Sequence, residues 1–214
     1  MPGKFHHEQL YRGPQALARL ATAGVTLCGA GALGSHLADN LVRQGLASLR
    51  VIDCDRVEEH NVSTQLYAET DVGGWKVQVL RNRLFRAAGV EIDAVNKELS
   101  ERSARTHLRE SDVVIDAFDN SASRRLVQEY CRSTAMPCLH VGLNTDYAEI
   151  IWDEAYRVPD DRGADVCDYP LARNLVLLAV AVASEALVQF LLDGKRGNWS
   201  LTLRDLSIRA LEAA

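Results

Sequence analysis

Short apolar runs and amphipathic segments alternate along most of this chain. Val25-Thr-Leu-Cys28 is an apolar run that stops at Gly29, and residues 35–44 follow with helix-forming character. Leu49-Arg-Val-Ile-Asp53 is a second such run. Residues 72–85 read as a helix closed by Gly89, 90–99 alternate like a strand, and 101–109 read as a short helix. Asp112-Val-Val-Ile-Asp116 reads as a buried strand, residues 122–135 as a helix with Ser121 as its N-cap, and 138–141 as another strand. Ahead of all these, Pro14 suits a first helical position, and 15–23 form a short amphipathic helix; residues 1–13 are polar, with no element predicted. After Gly142 the rhythm changes: 147–152 and 198–206 alternate like antiparallel strands, and a long apolar helix spans 171–192 between them.

Strict alternation of strand and helix predicts an α/β fold: a Rossmann-like, mostly parallel sheet with helices on both faces and antiparallel strands at the C-terminal end. A length of 214 residues fits one domain, with residues 1–142 as a nucleotide-binding half and 143–214 as a second half.

Charge and cysteine usage narrow the function classes. A net charge of -5 argues against a nucleic-acid surface, and Arg81, Arg83 and Arg86 stand at the helical spacing of a solvated face. Five cysteines with no C-x-x-C pair suit a reducing cytoplasm and weigh against a cysteine zinc site. Residues 4–8 are charged where a signal peptide would be apolar. The apolar segment 171–192 is interrupted by Arg173, Asn174, Glu185 and Gln189, short of the roughly 18 uncharged residues of a membrane span. It reads as a buried helix of a soluble protein, with no membrane partner. His6 and His7 are adjacent, which fits surface residues better than metal ligands.

The candidate chemistry gathers at Gly29-Ala-Gly-Ala-Leu-Gly34. Its G-x-G-x-x-G spacing between a strand and a helix lets a phosphate approach backbone amides at a helix N-terminus, and Gly34 lets the helix pack closely on the strand. Asp53 ends the next strand, where a carboxylate binds a ribose hydroxyl. The competing reading is a purely structural glycine turn. The polar stretch 54–65 is too long for a simple connection. Lys76 suits a point charge on phosphates, and Asp119 beyond a strand end suits magnesium, which takes one or two carboxylates plus phosphates. A solvated lysine and a turn aspartate are their bland counterparts. Strand ends also bring Asp116 and the loop after Gly142 to this edge.

Four stretches in register carry a family resemblance: Gly29-Ala-Gly-Ala-Leu-Gly34, Val51-Ile-Asp-Cys-Asp-Arg-Val-Glu-Glu-His-Asn-Val-Ser-Thr-Gln65, Asp71-Val-Gly-Gly-Trp-Lys76 and Asp116-Ala-Phe-Asp-Asn120. Over about residues 4–194 the chain resembles the ThiF/MoeB/HesA group, bacterial relatives of the ubiquitin-activating enzymes. The resemblance implies an ATP- and magnesium-dependent adenylyltransferase acting on the C-terminal glycine of a ubiquitin-like or sulfur-carrier protein, as a homodimer, with residues 143–214 serving the carrier and the dimer. It further implies that Gly29, Gly31, Ala32 and Gly34 cradle the nucleotide and that Asp53 holds the ribose. Lys76 would bind phosphates, Asp119 would hold magnesium, and Asn61 would lie near the phosphates. Asp55, Gln65 and Asn120, in the same motifs, join the nucleotide set.

The chain also departs from the pattern. Where the family has an arginine, Asn61-Val-Ser-Thr-Gln65 has Thr64, and His7 falls where a second arginine reaches the ATP of the partner subunit. Arg12 is the cation available to stand in for one of them. Two uncompensated losses would cost roughly 1.5–3 kcal/mol per charged hydrogen bond, which motivates an alternative reading as a catalytically degenerate scaffold subunit. The two zinc-binding C-x-x-C pairs of many relatives are missing. Cys167 falls where some relatives accept the activated carboxylate; a thioester or persulfide role and an ordinary loop cysteine both remain open. A helix N-terminus would lower its pKa, while Asp165 and Asp168 would raise it. An NAD-dependent oxidoreductase, on the glycine fingerprint alone, is a third reading without an acid–base pair to support it.

Overall fold

In a computed structural model, which describes residues 3–159 and 170–211, the central strand is β1 (Gly24–Cys28). Val25, Leu27 and Cys28 are all buried, so both faces of β1 are covered. Around it runs one eight-stranded sheet in the order β3-β2-β1-β4-β5-β6-β7-β8. The strands are β2 (Ser48–Ile52), β3 (Asp93–Val95), β4 (Val113–Asp116), β5 (Cys138–Asn144), β6 (Tyr147–Trp152), β7 (Asn198–Thr202) and β8 (Ser207–Leu211). Strands β1 to β5 are parallel, and β6, β7 and β8 join antiparallel. The predicted architecture is therefore present.

The helices are α1 (His6–Arg12), α2 (Pro14–Thr22), α3 (Ala32–Arg43), α4 (Lys76–Ala88), α5 (Glu101–His107), α6 (Ser121–Thr134) and α7 (Arg173–Asp193). Side chains alternate along each strand, so each sheet face has its own core. On one face Val25, Leu27, Val51 and Ile115 pack with Leu33 and Leu37 of α3, Leu80 of α4 and Val176 of α7. On the other, Cys28, Ile52, Val114 and Cys138 pack with Ala104 of α5 and Val127 and Cys131 of α6. Helix α7 is long and apolar enough to cross a membrane by length and composition, yet Leu175, Val176, Ala179, Ala183 and Leu187 lie buried in this core.

Several boundaries differ from the sequence reading. Residues 6–12 form a helix where none was predicted. Only residues 93–95 of the 90–99 stretch pair as a strand. The predicted strand 198–206 is a hairpin, since Thr202 pairs with Ser207 and the chain reverses through residues 203–206. Leu206 takes φ 54 there, and Asp205 Oδ1 accepts from Ser207 N. The N-cap of α6 is Asn120, whose Oδ1 accepts from Ser123 N at 2.8 Å, rather than Ser121.

Connections from β1 run outward through β2 to β3, and from β4 the other way to β5. The carboxyl ends of β1 and β4 thus flank the point where strand order reverses, the place where open α/β sheets bind ligands.

Candidate functional site

At that point the chain leaves β1 through Gly29, in the left-handed region at φ 95. Gly29 N donates to Ile52 O at 2.8 Å, which ties the turn to β2. A Cβ on Gly29 would lie 2.9 Å from Ala117 O, and one on Gly34 only 1.9 Å from Gly29 O. These two glycines are required by the chain's own packing. Gly31 is different: a Cβ there would meet nothing within 4 Å. The loop is closed on two sides and open on the third, over the first turn of α3, whose amides have no helical carbonyl partner. Tyr67, buried, braces the loop by donating its hydroxyl to Ala30 O at 2.8 Å; nothing in its sequence context marked it.

Asp53 sits beside the loop at the end of β2. Its Oδ2 accepts from Ala30 N at 2.7 Å and its Oδ1 from Asp55 N at 2.8 Å. Each oxygen keeps a lone pair for a ligand hydroxyl. Burial raises the Asp53 pKa, against the opposing pull of Lys76 and the two amides. Lys76, the first residue of α4, is only 7% exposed. Its Nζ donates to Asp55 Oδ2 at 3.0 Å, while its backbone N donates to Asp55 O at 2.9 Å. Burial works to lower the Lys76 pKa, but Asp53, Asp55 and Asp119 outweigh it and hold it above the ordinary lysine value. Asp55 therefore serves as the lysine's partner. Asp119 lies exposed in the turn after β4, close enough for its charge to act on Lys76.

Asn61 is buried, and its Oδ1 accepts from Glu58 N at 2.9 Å, closing a short 3-10 turn over Glu59–Ser63. Gln65 N donates to Asn61 O at 2.8 Å, and Gln65 Oε1 is buried with no partner among the described residues. Arg173, absent from the sequence-derived site, stands at the start of α7 with Nη1 3.4 Å from both Ser63 O and Gln65 O. Its charge, with burial as the larger cause, holds His36 below its ordinary pKa.

Three expectations change. Asp116 does not face the strand edge: it is fully buried and bound to His140. The side-chain oxygen of Asn120 is committed to the cap of α6. Arg12 is drawn away from the loop to α7, donating to both oxygens of Glu185 at 3.2 and 2.7 Å and to Glu8 at 2.8 Å. His7 is exposed, and Thr64 donates its N to Asn61 O and accepts at O from His36 Nε2. Cys167 lies outside the described residues. A cleft of about 500 Å³ between α3 and α4 is lined by Arg43, Leu66, Asp71, Arg83 and Arg86, with no lining residue from the glycine loop.

The donor set suits a nucleotide. The open side at Gly31 leaves room beside the first turn of α3, and Lys76 supplies the cation. Among the described residues no three His, Cys, Asp or Glu side chains converge on a metal position. Asp119 alone matches a magnesium ion held mainly by phosphates.

Comparison with known proteins gives three findings. A model described as "ThiF family" matches residues 7–154. The sulfur carrier protein adenylyltransferase of Thermus thermophilus is 35% identical over 130 residues, 59% of this chain and 48% of that protein. The sulfur carrier protein ThiS adenylyltransferase of Bacillus subtilis is 30% identical over 146 residues, 65% of this chain and 44% of that protein. The chain thus spans about half the length of the relatives it matches. In fold it resembles the crystal structure of E. coli MccB with ATP, at TM-score 0.82 and 17% identity, covering 97% of this chain and 69% of that one.

Proposed function

The chain belongs to the ThiF family, and from that premise we propose that it is an ATP- and magnesium-dependent adenylyltransferase. Its substrate would be the C-terminal carboxylate of a ubiquitin-like or sulfur-carrier protein. The relatives' activity as sulfur-carrier adenylyltransferases supports this reading. The observation that carries it is the buried Lys76 ammonium set among three carboxylates beside a glycine loop with one open side.

In this reading a carrier carboxylate oxygen attacks the α-phosphorus, an acyl–phosphate bond forms, and the bond to the β-phosphate oxygen breaks as pyrophosphate leaves. Bound magnesium supplies positive charge that offsets the phosphates. The chain's own part is positioning and electrostatics. Asp53 orients the ribose, the first turn of α3 presents its amides, and Lys76 holds the phosphates as negative charge builds. The adjoining half, residues 143–214, would receive the carrier and a second copy in a homodimer. Cys28, Cys54, Cys131 and Cys138 are free thiols, which supports a cytoplasmic location.

Pyrophosphate–ATP exchange tests the proposal, using small proteins with C-terminal glycine encoded beside this one. Exchange that requires such a carrier, and that falls about 10²–10³-fold in Lys76→Ala and Asp119→Ala, supports it. No exchange with any of these carriers rejects it. Calorimetric ATP binding without exchange would replace it with the scaffold reading that Thr64 and the engaged Arg12 suggest.

A further inference from the structure

Behind the Asp119 turn lies a buried polar cluster on the α6 face of the sheet. At its centre is His140 of β5, fully buried. Its Nδ1 lies 2.9 Å from Asp116 Oδ2 and its Nε2 lies 3.2 Å from Asp153 Oδ1. The ring stacks on Tyr156, with centroids 3.7 Å apart and planes 11° apart. Arg124 of α6 completes the cluster, donating to Tyr156 Oη at 2.8 Å and to Val141 O at 3.0 Å, with Asp116 Oδ2 at 3.6 Å. Glu149 is the remaining acid nearby; burial raises its pKa against the charges of Arg124 and His140.

Each ring nitrogen faces a different carboxylate, so a single imidazole spans two acidic side chains. Each carboxylate belongs to a different piece of backbone. The Asp116 side holds the turn that carries Asp119, because Asp116 Oδ1 accepts from Phe118 N at 3.1 Å. The Asp153 side begins residues 153–159, which α6 grips through three further donors. Gln128 Nε2 and Arg132 Nη2 each donate to Tyr156 O at 3.0 Å, and Ser121 Oγ donates to Pro159 O at 2.8 Å. An apolar filler at His140 would leave Asp116 buried without its closest partner, a costly arrangement.

We propose that His140 is a positioning residue: by bridging Asp116 and Asp153 it locks the Asp119 turn and residues 153–159 into one unit. A change on the 153–159 side is thereby felt at the turn that would hold magnesium; this part rests on the function proposed above for Asp119. Asp153 is the place to test the bridge, since its side chain is 13% exposed and its loss leaves the His140–Asp116 pair intact.

The experiment compares the full chain with Asp153→Ala, which removes the acceptor, and Asp153→Asn, which keeps an acceptor oxygen. Hydrogen exchange is read on peptides covering 117–120 and 153–159, and calorimetry reads ATP affinity with and without magnesium. Asp153→Ala is expected to speed exchange about fivefold or more in both peptides. It should weaken magnesium–ATP binding about tenfold while ATP without magnesium stays within about twofold. Asp153→Asn should restore both readouts towards the parent. Faster exchange confined to 153–159, with 117–120 unchanged, overturns the coupling. If the parent binds no nucleotide, the function proposal fails separately and exchange at 117–120 still decides the bridge.

Discussion

Replacing Gly31 and Gly34 by alanine, one at a time, separates what the loop does for the fold from what it does for a ligand. A Cβ on Gly34 would stand 1.9 Å from Gly29 O and 2.8 Å from Gly29 C, both backbone atoms of a turn tied to β2. Relief requires moving α3 or the turn itself, so Gly34→Ala should cost about 3 kcal/mol or more. In a chain of this length that lowers Tm by about 6–12 °C. Gly31 has φ -75 and ψ -148, clear of the left-handed region but off the usual β basin, and its Cβ would touch nothing within 4 Å. With no clash to relieve and only a modest backbone cost, Gly31→Ala should destabilise by about 1–2 kcal/mol, clearly less than Gly34→Ala. The same methyl projects into the space a phosphate needs in order to reach amides at about 2.9 Å. Losing one charge-assisted hydrogen bond of about 1.5–3 kcal/mol weakens ATP about 10- to 100-fold. Thermal unfolding of all three proteins, followed by calorimetric titration with ATP, reads both quantities. If Gly31→Ala binds ATP as the parent does, the open side of the loop is not the nucleotide seat and the site is misassigned. A Gly34→Ala protein as stable as the parent refutes the close approach of α3 to the turn.

Two further substitutions probe the surroundings. Asp53→Asn turns an amide NH₂ towards one of two backbone donors now paired with the carboxylate; leaving one unpaired should cost about 1–3 kcal/mol by denaturant titration. An unchanged midpoint would remove Asp53 from the support of the loop. Arg12, chiefly by hydrogen bonding and against burial, holds Glu185 below its ordinary carboxylate pKa. The stabilisation is thus fully present above the unfolded value of about 4.3 and is lost as pH falls through the lower folded value. From about pH 5 to about pH 3 the parent's Tm should fall further than that of Glu185→Gln; parallel curves would show the pair contributes nothing.

The glycine loop, Asp53 and Lys76 were legible because each is fixed by local chain geometry: a left-handed turn, a strand end, a helix start. What the sequence hid depends on distant partners. Asp116 reads as an edge carboxylate until His140, 24 residues on, draws it inside. Arg12 reads as a spare cation until Glu185, 173 residues away, engages it. The hairpin at 203–206 carries no Gly, Asn or Pro, since Leu206 takes the left-handed position, so period-two alternation ran straight through it. Asn120 and Ser121 are both competent caps, and only the hydrogen bond to Ser123 N distinguishes them.

The pairing of Lys76 with Asp55 has a consequence for how any anion arrives. The ammonium already owns a counter-ion on a neighbouring loop, held from behind by the bond between Lys76 N and Asp55 O. Under the proposed function, an incoming phosphate would not meet a vacant charge; it would compete with a tethered rival that stands ready to take the whole ammonium back when the ligand departs. Binding and release at Nζ would then be a competition between two anions, with the lysine accompanied throughout.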